Sequence, residues 1–298
     1  MFKKHGIRRT AEDWIIDTIN MFIMLIVIVV TLYPFFYAVI ISFNEGIDAI
    51  KGGIYFWPRK FTLENYGTFF SDPNWRLAFL VSVSRTSIGT VLGVFFTSLV
   101  AYGLSFKGLM FKKLYMTLII IAMYFSGGII PYYVVLRSLG LLNKFAVYII
   151  PTMLDMFFLL VAIAFFADIP DSLAESARID GANEFKIFLK LILPISKPLL
   201  STMALFIGVG QWNSWVDSAY FVQKTSLRTL TYRMMEIINL TAMPKDSMGA
   251  AATSSINSVT TFSIQITAVV VTIVPIMCVY PFIQKHFVKG VMLGAVKG

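Results

Sequence analysis

The chain has 298 residues, of which 57% are hydrophobic and 14% charged, with a formal net charge of +9. A soluble domain carries about 25% charged residues, and several continuous apolar runs here reach the roughly 20 residues that cross a bilayer core. A soluble fold is thereby excluded and an all-α integral membrane protein is expected. The runs do not alternate apolar with polar, which argues against a β-barrel, and the positive balance fits loops that meet anionic lipid rather than a nucleic-acid site.

Lys3, Lys4, Arg8 and Arg9 precede an apolar run from Ile15 to Ile41. That run is too long for the core of a signal peptide, and no A-x-A-like cleavage site follows, so a retained first span is expected after an N-tail of residues 1–14. Six transmembrane helices are expected, at about 15–41, 76–103, 114–136, 146–167, 199–219 and 262–284. Pro34, Pro131, Pro151 and Pro275 interrupt four of them, which membrane helices tolerate when neighbours satisfy the freed carbonyls. The single cysteine, Cys278, lies in an apolar run. It can build neither a disulfide framework nor a cysteine metal site, and no metal site is expected. In the loop 42–75, Trp57-Pro58 and Asp72-Pro73 read as turns. Residues 220–261 open with a helix-like "LRTLTYRMMEIINL" and close with the small, polar "SMGAAATSSINSVTT". With the N-terminus inside, fourteen Lys and Arg face the cytoplasm and ten face outward, with Arg85 inside a span. Both termini are therefore expected to be cytoplasmic.

Between the fourth and fifth spans, residues 168–198 form a charged loop. Ser172-Leu-Ala-Glu175 has the S-x-x-E form of a capping box and predicts a helix start at Ser172. Gly181 stands where a left-handed residue ends such a helix. Asn183 can cap a second helix, and Pro194 is expected to stop it. Phe185, Phe188, Leu189 and Ile192 recur at helical spacing and give that second helix an apolar face. The prediction is a short helix, a sharp turn and an amphipathic helix lying in the cytoplasmic surface. Such a unit is either a lipid-surface helix or a knob presented to a partner.

Glu175-Ser176-Ala177, then Gly181, then Leu191, Leu193 and Pro194 resemble the EAA signature of binding-protein-dependent ABC importer permeases. That signature is E-A-A, three residues, Gly, nine residues, then Ile-x-Leu-Pro; Ser176 replaces the first Ala and Leu191 replaces Ile. The Arg178–Ala182 run looks like the carbohydrate-importer version. "FSGGIIPYYVV" (125–135), "QWNSWVDSAYF" (211–221) and "VYPFIQKHFVKGVMLGAVKG" (279–298) are similar to the maltose-permease-like subunits of oligosaccharide importers. The resemblance implies a type I ABC importer permease fold over residues 15–284, in a bacterial inner or plasma membrane, with a cytoplasmic EAA coupling helix. It implies four kinds of partner: a sister permease in a heterodimer, two ATPase subunits, an extracytoplasmic solute-binding protein and a carbohydrate substrate, an oligosaccharide in this branch. It assigns Glu175, Ser176, Ala177, Asp180, Gly181, Leu193 and Pro194 to the ATPase contact. The C-tail 285–298, with Lys289 and Gly290, would enter the seam between the ATPases. The chain has no G-x-x-x-x-G-K-[ST] loop, so it does not cradle nucleotide phosphates by that device. Under the resemblance ATP and Mg2+ belong to the partner ATPase, and this chain carries no cofactor and catalyses no covalent step.

Charges inside a membrane are functional candidates, and Arg85 and Asp155 are the two that lie well inside their spans. Arg85 could snorkel outward or meet substrate. Asp155 could pair with Arg85, cap a broken helix or meet sugar hydroxyls. Trp212, Asn213, Trp215 and Asp217, beside Gln211, combine flat apolar faces with amides and a carboxylate, which suits sugar C–H edges and hydroxyls. Trp also gathers at membrane interfaces whatever the function. Gly89-x-x-x-Gly93 reads as a helix-packing face. The rival class is an ion-coupled secondary transporter, which would place titratable groups on the pathway and repeat its fold inversely.

Overall fold

The computed structural model describes residues 11–242 and 259–295. Among them the secondary structure is helical. The helices are α1 (Ala11–Ser42), α2 (Gly46–Ile50), α3 (Glu64–Ser71), α4 (Pro73–Ser105), α5 (Lys112–Tyr124), α6 (Ile129–Ser138) and α7 (Met156–Ala167). They continue with α8 (Asp171–Ile179), α9 (Glu184–Ile187), α10 (Leu193–Ile195), α11 (Lys197–Asn213), α12 (Val216–Phe221), α13 (Leu230–Ala242) and α14 (Thr261–Ala295). Three stretches are long and apolar enough to cross a membrane as they stand: Glu12–Ser42, Pro73–Ser105 and Thr261–Cys278. Three bent pairs qualify if each is taken as one span, bringing the candidates to six.

The bends are where straight spans were expected, and each has a local cause. The stretch 114–136 is two helices, α5 and α6, meeting at 115°. Gly128 lies between them at φ +84°, a backbone that side-chain-bearing residues rarely adopt. Pro131 then falls in the first turn of α6, where its missing N–H interrupts no helical bond. The stretch 146–167 enters through two 3-10 turns, Phe145–Tyr148 and Ile150–Thr152, bent by 42° from α7. The expected span 199–219 ends its helix at Asn213 and resumes as α12 at Val216. α14 has no break at 284 and runs on to Ala295. α13 covers most of the helix-like run after Leu227, whereas most of the small, polar run that follows lies outside the described residues.

The chain divides into two compact units. The first lies within Met1–Phe69 and Pro244–Val271. Its core joins Ile40, Ile41, Ala49 and Ile54 to Phe262 and Ile266. Buried asparagines hold the loop after α1 in place. The Asn65 amide donates to the carbonyls of Ser42 and Asn44 at 2.9 and 2.8 Å, and Asn44 Nδ2 donates to Asp48 Oδ2 at 3.1 Å. Arg59 Nε reaches the same carboxylate at 2.9 Å and holds Asp48 below the usual carboxylate range.

The second unit lies within Phe70–Met243 and Thr272–Gly298. Its axis is α4, capped by Asp72, which accepts from Asn74 N at 2.8 Å, with Pro73 at the first helical position. α7 and α11 pack along α4 around Ala101, Leu159, Ile163, Met203 and Ile207. The approach of α11 is close because glycines leave notches. A Cβ on Gly89 would stand 2.9 Å from Gln211 Cδ, one on Gly93 would stand 3.3 Å from Ile207 Cγ2, and one on Gly208 would stand 3.1 Å from Thr90 Oγ1. The Gly89/Gly93 pair thus seats side chains of α11, which is the packing role expected of it.

Candidate functional site: the coupling segment and a buried arginine cluster

The segment 168–198 begins a residue earlier than the capping box predicts. α8 starts at Asp171 after Pro170, and Pro170 offers no side-chain cap. Ser172 is therefore already helical, and its carbonyl accepts from Ser176 Oγ at 2.9 Å, so the Ser172/Glu175 box does not form. Asp171 occupies the first turn, where a carboxylate suits the helix dipole. It also accepts from Lys107 Nζ at 2.6 Å, a bond that raises the Lys107 pKa. The end of α8 follows the expectation. Gly181 has φ +80°; its N–H bonds to Arg178 O and that of Ala182 to Ala177 O, each at 3.0 Å. These are the two bonds of a Schellman turn, and Ala177 and Ala182 both pack against the core of the second unit.

Asn183 caps α9, its side chain accepting from Lys186 N at 2.8 Å. Glu184 is then held from two sides, by Arg178 Nε at 2.6 Å and by Tyr102 OH at 2.9 Å. Pro194 does not stop this helix. Its missing N–H instead coincides with a π turn over Phe188–Ile192, in which Leu193 N–H bonds to Phe188 O, and helix continues through Ile195. The extra residue of that turn shifts the apolar face. Ile187, Phe188 and Ile192 are buried, while Phe185 and Leu189 are exposed. The larger bend, 84°, comes at Ser196 before α11. Glu175, Ser176, Asp180 and Gly181 lie outside the core, and α8 buries none of its residues. Leu193 packs against the core and Pro194 opens α10. Lys289 and Gly290 fall in α14, but their side chains lie outside the described residues.

The fifth-span candidates lead to a different construction. Arg85, near the middle of α4, is 1% exposed. Its Nε donates to Gln211 Oε1 at 2.8 Å, one terminal nitrogen donates to Ser214 O at 3.1 Å, and the other pairs with Asp217 Oδ2. The guanidinium lies over the Tyr148 ring, 4.7 Å from its centre. Gln211 passes the chain of bonds to Thr152 Oγ1 at 2.7 Å. Ser214 Oγ donates to Asp217 at 3.1 Å. Tyr148 OH donates to Leu227 O at 2.8 Å, and Ser218 Oγ lies 3.2 Å from the same phenol oxygen. Ser218 in turn accepts from Thr229 N at 3.1 Å, and Ser82 Oγ from Leu230 N at 2.8 Å. Burying a charge without a partner is costly. Here the guanidinium is hydrogen-bonded at all three nitrogens.

The structure thus brings Asp217 to Arg85 and sets Asp155 apart. Asp155 caps α7, accepting from Phe158 N at 2.9 Å, which is one of the three roles left open for it. Trp212 is buried and its Nε1 donates to Thr272 O at 3.0 Å, so the indole N–H is engaged within the protein. One face of Trp212 lines an apolar pocket of about 480 Å3 between α4, α11 and α14, together with Thr86, Thr90, Gly208 and Pro275. Asn213 is exposed and Trp215 half-buried. Sequence reasoning missed Tyr148, Thr152, Ser214 and Ser218. One signal was available: a mid-span arginine needs an acid, and with Asp155 at a helix start, Asp217 was the acid left in the candidate set.

No family model matches the chain. Known proteins do. The polygalacturonan/rhamnogalacturonan transport system permease YtcP of Bacillus subtilis (strain 168) is 36% identical over 275 residues, 92% of this chain and 96% of its own. Protein LplC of the same organism is 34% identical over 301 residues, the whole of both chains. Among solved structures, a bacterial ABC transporter involved in the import of the acidic polysaccharide alginate superposes with a TM-score of 0.85 at 26% identity, over 95% of this chain and 100% of that one. The expected importer-permease architecture is the one observed, and the chain is a multi-pass membrane protein belonging to the permease subunits of carbohydrate ABC transport systems.

Proposed function

We propose that this permease imports oligosaccharide in a heterodimer with a sister permease, driven by two separate ATPase subunits and supplied by an extracytoplasmic binding protein. In this reading both termini are cytoplasmic, and the α8–α9 knob is the element on which the ATPase closes. The observation that carries it is the build of that knob. Gly181 and Asn183 set its geometry by local bonds, Ala177 and Ala182 tie it to the core, and Ile179 at its tip is 86% exposed. An apolar side chain so presented on a fixed turn suits a protein cleft. Glu175 and Asp180 beside it offer carboxylates to a basic partner surface. The ATP and Mg2+ then sit in the partner, and ATP-driven closure reaches the spans through α9, the π turn and α11.

Two relatives serve polymers of acidic sugars, the 36% identical permease and the alginate importer. Carboxylate-bearing oligosaccharides are therefore the first substrates to test. The experiment is co-purification in mild detergent combined with uptake of labelled oligogalacturonate, alginate oligosaccharide, arabino-oligosaccharide and lactose. An ATPase should co-purify, and Gly181→Pro should abolish both its retention and uptake. Uptake that survives Gly181→Pro, or depends on a proton or sodium gradient, would return the ion-coupled reading.

A further inference from the structure

We propose that Arg85 is a positioning residue for the sugar path: it clamps the break between α11 and α12 to α4, and so sets where Asn213 and Trp215 stand. The proposal rests on the proposed import of oligosaccharide and on the expectation from the sequence that Trp212, Asn213, Trp215 and Asp217 line its path.

Three features of the cluster support it. First, its bonds fall on both sides of the break and on the break itself. Gln211 belongs to the last turn of α11, Ser214 O is the carbonyl at its end, and Asp217 lies in the first turn of α12. One planar guanidinium, with its donors in a rigid fork, holds three points of a discontinuous helix, while the backbone bonds Ser214 N to Gly210 O and Ala219 N to Trp215 O each stay on one side of the break. Second, the cluster is prepared on the α4 side. Gly89, one turn from Arg85, leaves the notch that lets the Gln211 side chain reach the guanidinium. Third, the cation and its partners are satisfied within the chain, so Arg85 has no direct role for a sugar hydroxyl to displace. The groups flanking the clamp, exposed Asn213 and half-buried Trp215, keep surface with which to meet a ligand.

The test separates clamping from general loosening. In a Cys278→Ala background, a cysteine is placed at buried Ser218 on α12, and in a separate chain at exposed Ser126 in the break between α5 and α6. Both are reacted with N-ethylmaleimide in isolated membranes of cells expressing the full chain. The thiol of Ser218→Cys should be protected. Arg85→Gln and Asp217→Asn should each speed its labelling at least fivefold while labelling at 126 stays unchanged. Arg85→Lys, which keeps charge but not the fork, should behave like Arg85→Gln. Unchanged labelling at 218, a parallel rise at both sites, or full protection in Arg85→Lys would each overturn the clamp. Uptake of labelled oligogalacturonate adds the functional arm: KM should rise at least fivefold in Arg85→Lys with Vmax largely kept. If labelling shifts as expected but KM does not, the clamp stands and the placement of the sugar path at 212–217 fails.

Discussion

Around Arg85, one buried cation is met by acceptors from α11, α12 and the break between them. In α8, by contrast, none of nine residues is buried and an isoleucine is left in the open. Both regions belong to the same compact unit and both carry charge. They differ in where their bonds come from. The 168–198 segment takes its turns from neighbours in sequence, a Schellman glycine and an asparagine cap, and is hydrogen-bonded from farther off by Lys107 and Tyr102. The arginine cluster is shaped by residues 126 to 132 positions away. Local bonds leave the α8 side chains unburied, as the proposed docking of a partner there requires. A charge meant to stay out of water needs partners from several elements at once.

That contrast can be broken at either end. The largest effect is expected from Arg85→Leu, which leaves the Asp217 carboxylate without its cation. Loss of one partner of a buried pair costs about 3–5 kcal/mol, read as a lowered midpoint of thermal unfolding in detergent. Next comes Gly89→Ala. Its Cβ would stand 2.9 Å from a Gln211 side chain that Arg85 and Thr152 both hold, so yielding means losing those bonds, at about 1–3 kcal/mol. Gly103→Ala in the same helix meets nothing within 4 Å and should be neutral or stabilising in the same assay.

At the coupling end, Gly181→Ala faces open space but positive φ. Its cost is conformational, about 1–2 kcal/mol, and local. Hydrogen exchange should quicken at Gly181 and Ala182 while the Arg85 cluster is unmoved. The smallest effect is expected at the Lys107–Asp171 pair, whose side chains are both largely exposed. Lys107 has a raised pKa in the folded chain. Its contribution is therefore complete below the ordinary lysine value and fades as pH rises through the raised one. Between pH 6 and 9, Asp171→Asn should leave the unfolding midpoint where it was. A clear drop there would mean that the 168–198 segment depends on its charges more than its exposure allows.

The same contrast explains what could be read from the chain. Gly181 and Asn183 were legible because each acts within three or four residues. Ser172 misled because Pro170 starts the helix one residue sooner, and a serine inside a helix cannot cap it. The face Phe185–Phe188–Leu189–Ile192 was half right. A π turn at Pro194 changes the period that the reading assumed, and Ile187 takes the place of Leu189. The span 114–136 looked continuous because hydropathy does not register the positive φ that Gly128 brings. Arg85 and Asp155 both need an account as charges within spans, and capping is among the roles the sequence offers Asp155, but nothing local to Arg85 says that Asp217 is its partner.

The glycine notches between α4 and α11 bear on motion. Three side chains, Gln211 and Ile207 from one helix and Thr90 from the other, each sit over a missing Cβ on the facing helix. A slide of one turn would carry all three out of their notches and drive them against neighbours that have side chains. The two helices can tilt or turn together, but they are keyed against shearing. When the transporter alternates between its states, α4 and α11 should therefore travel as one rod, and the movement must be sought at the bends on either side of α11, at Ser196 and at Ser214.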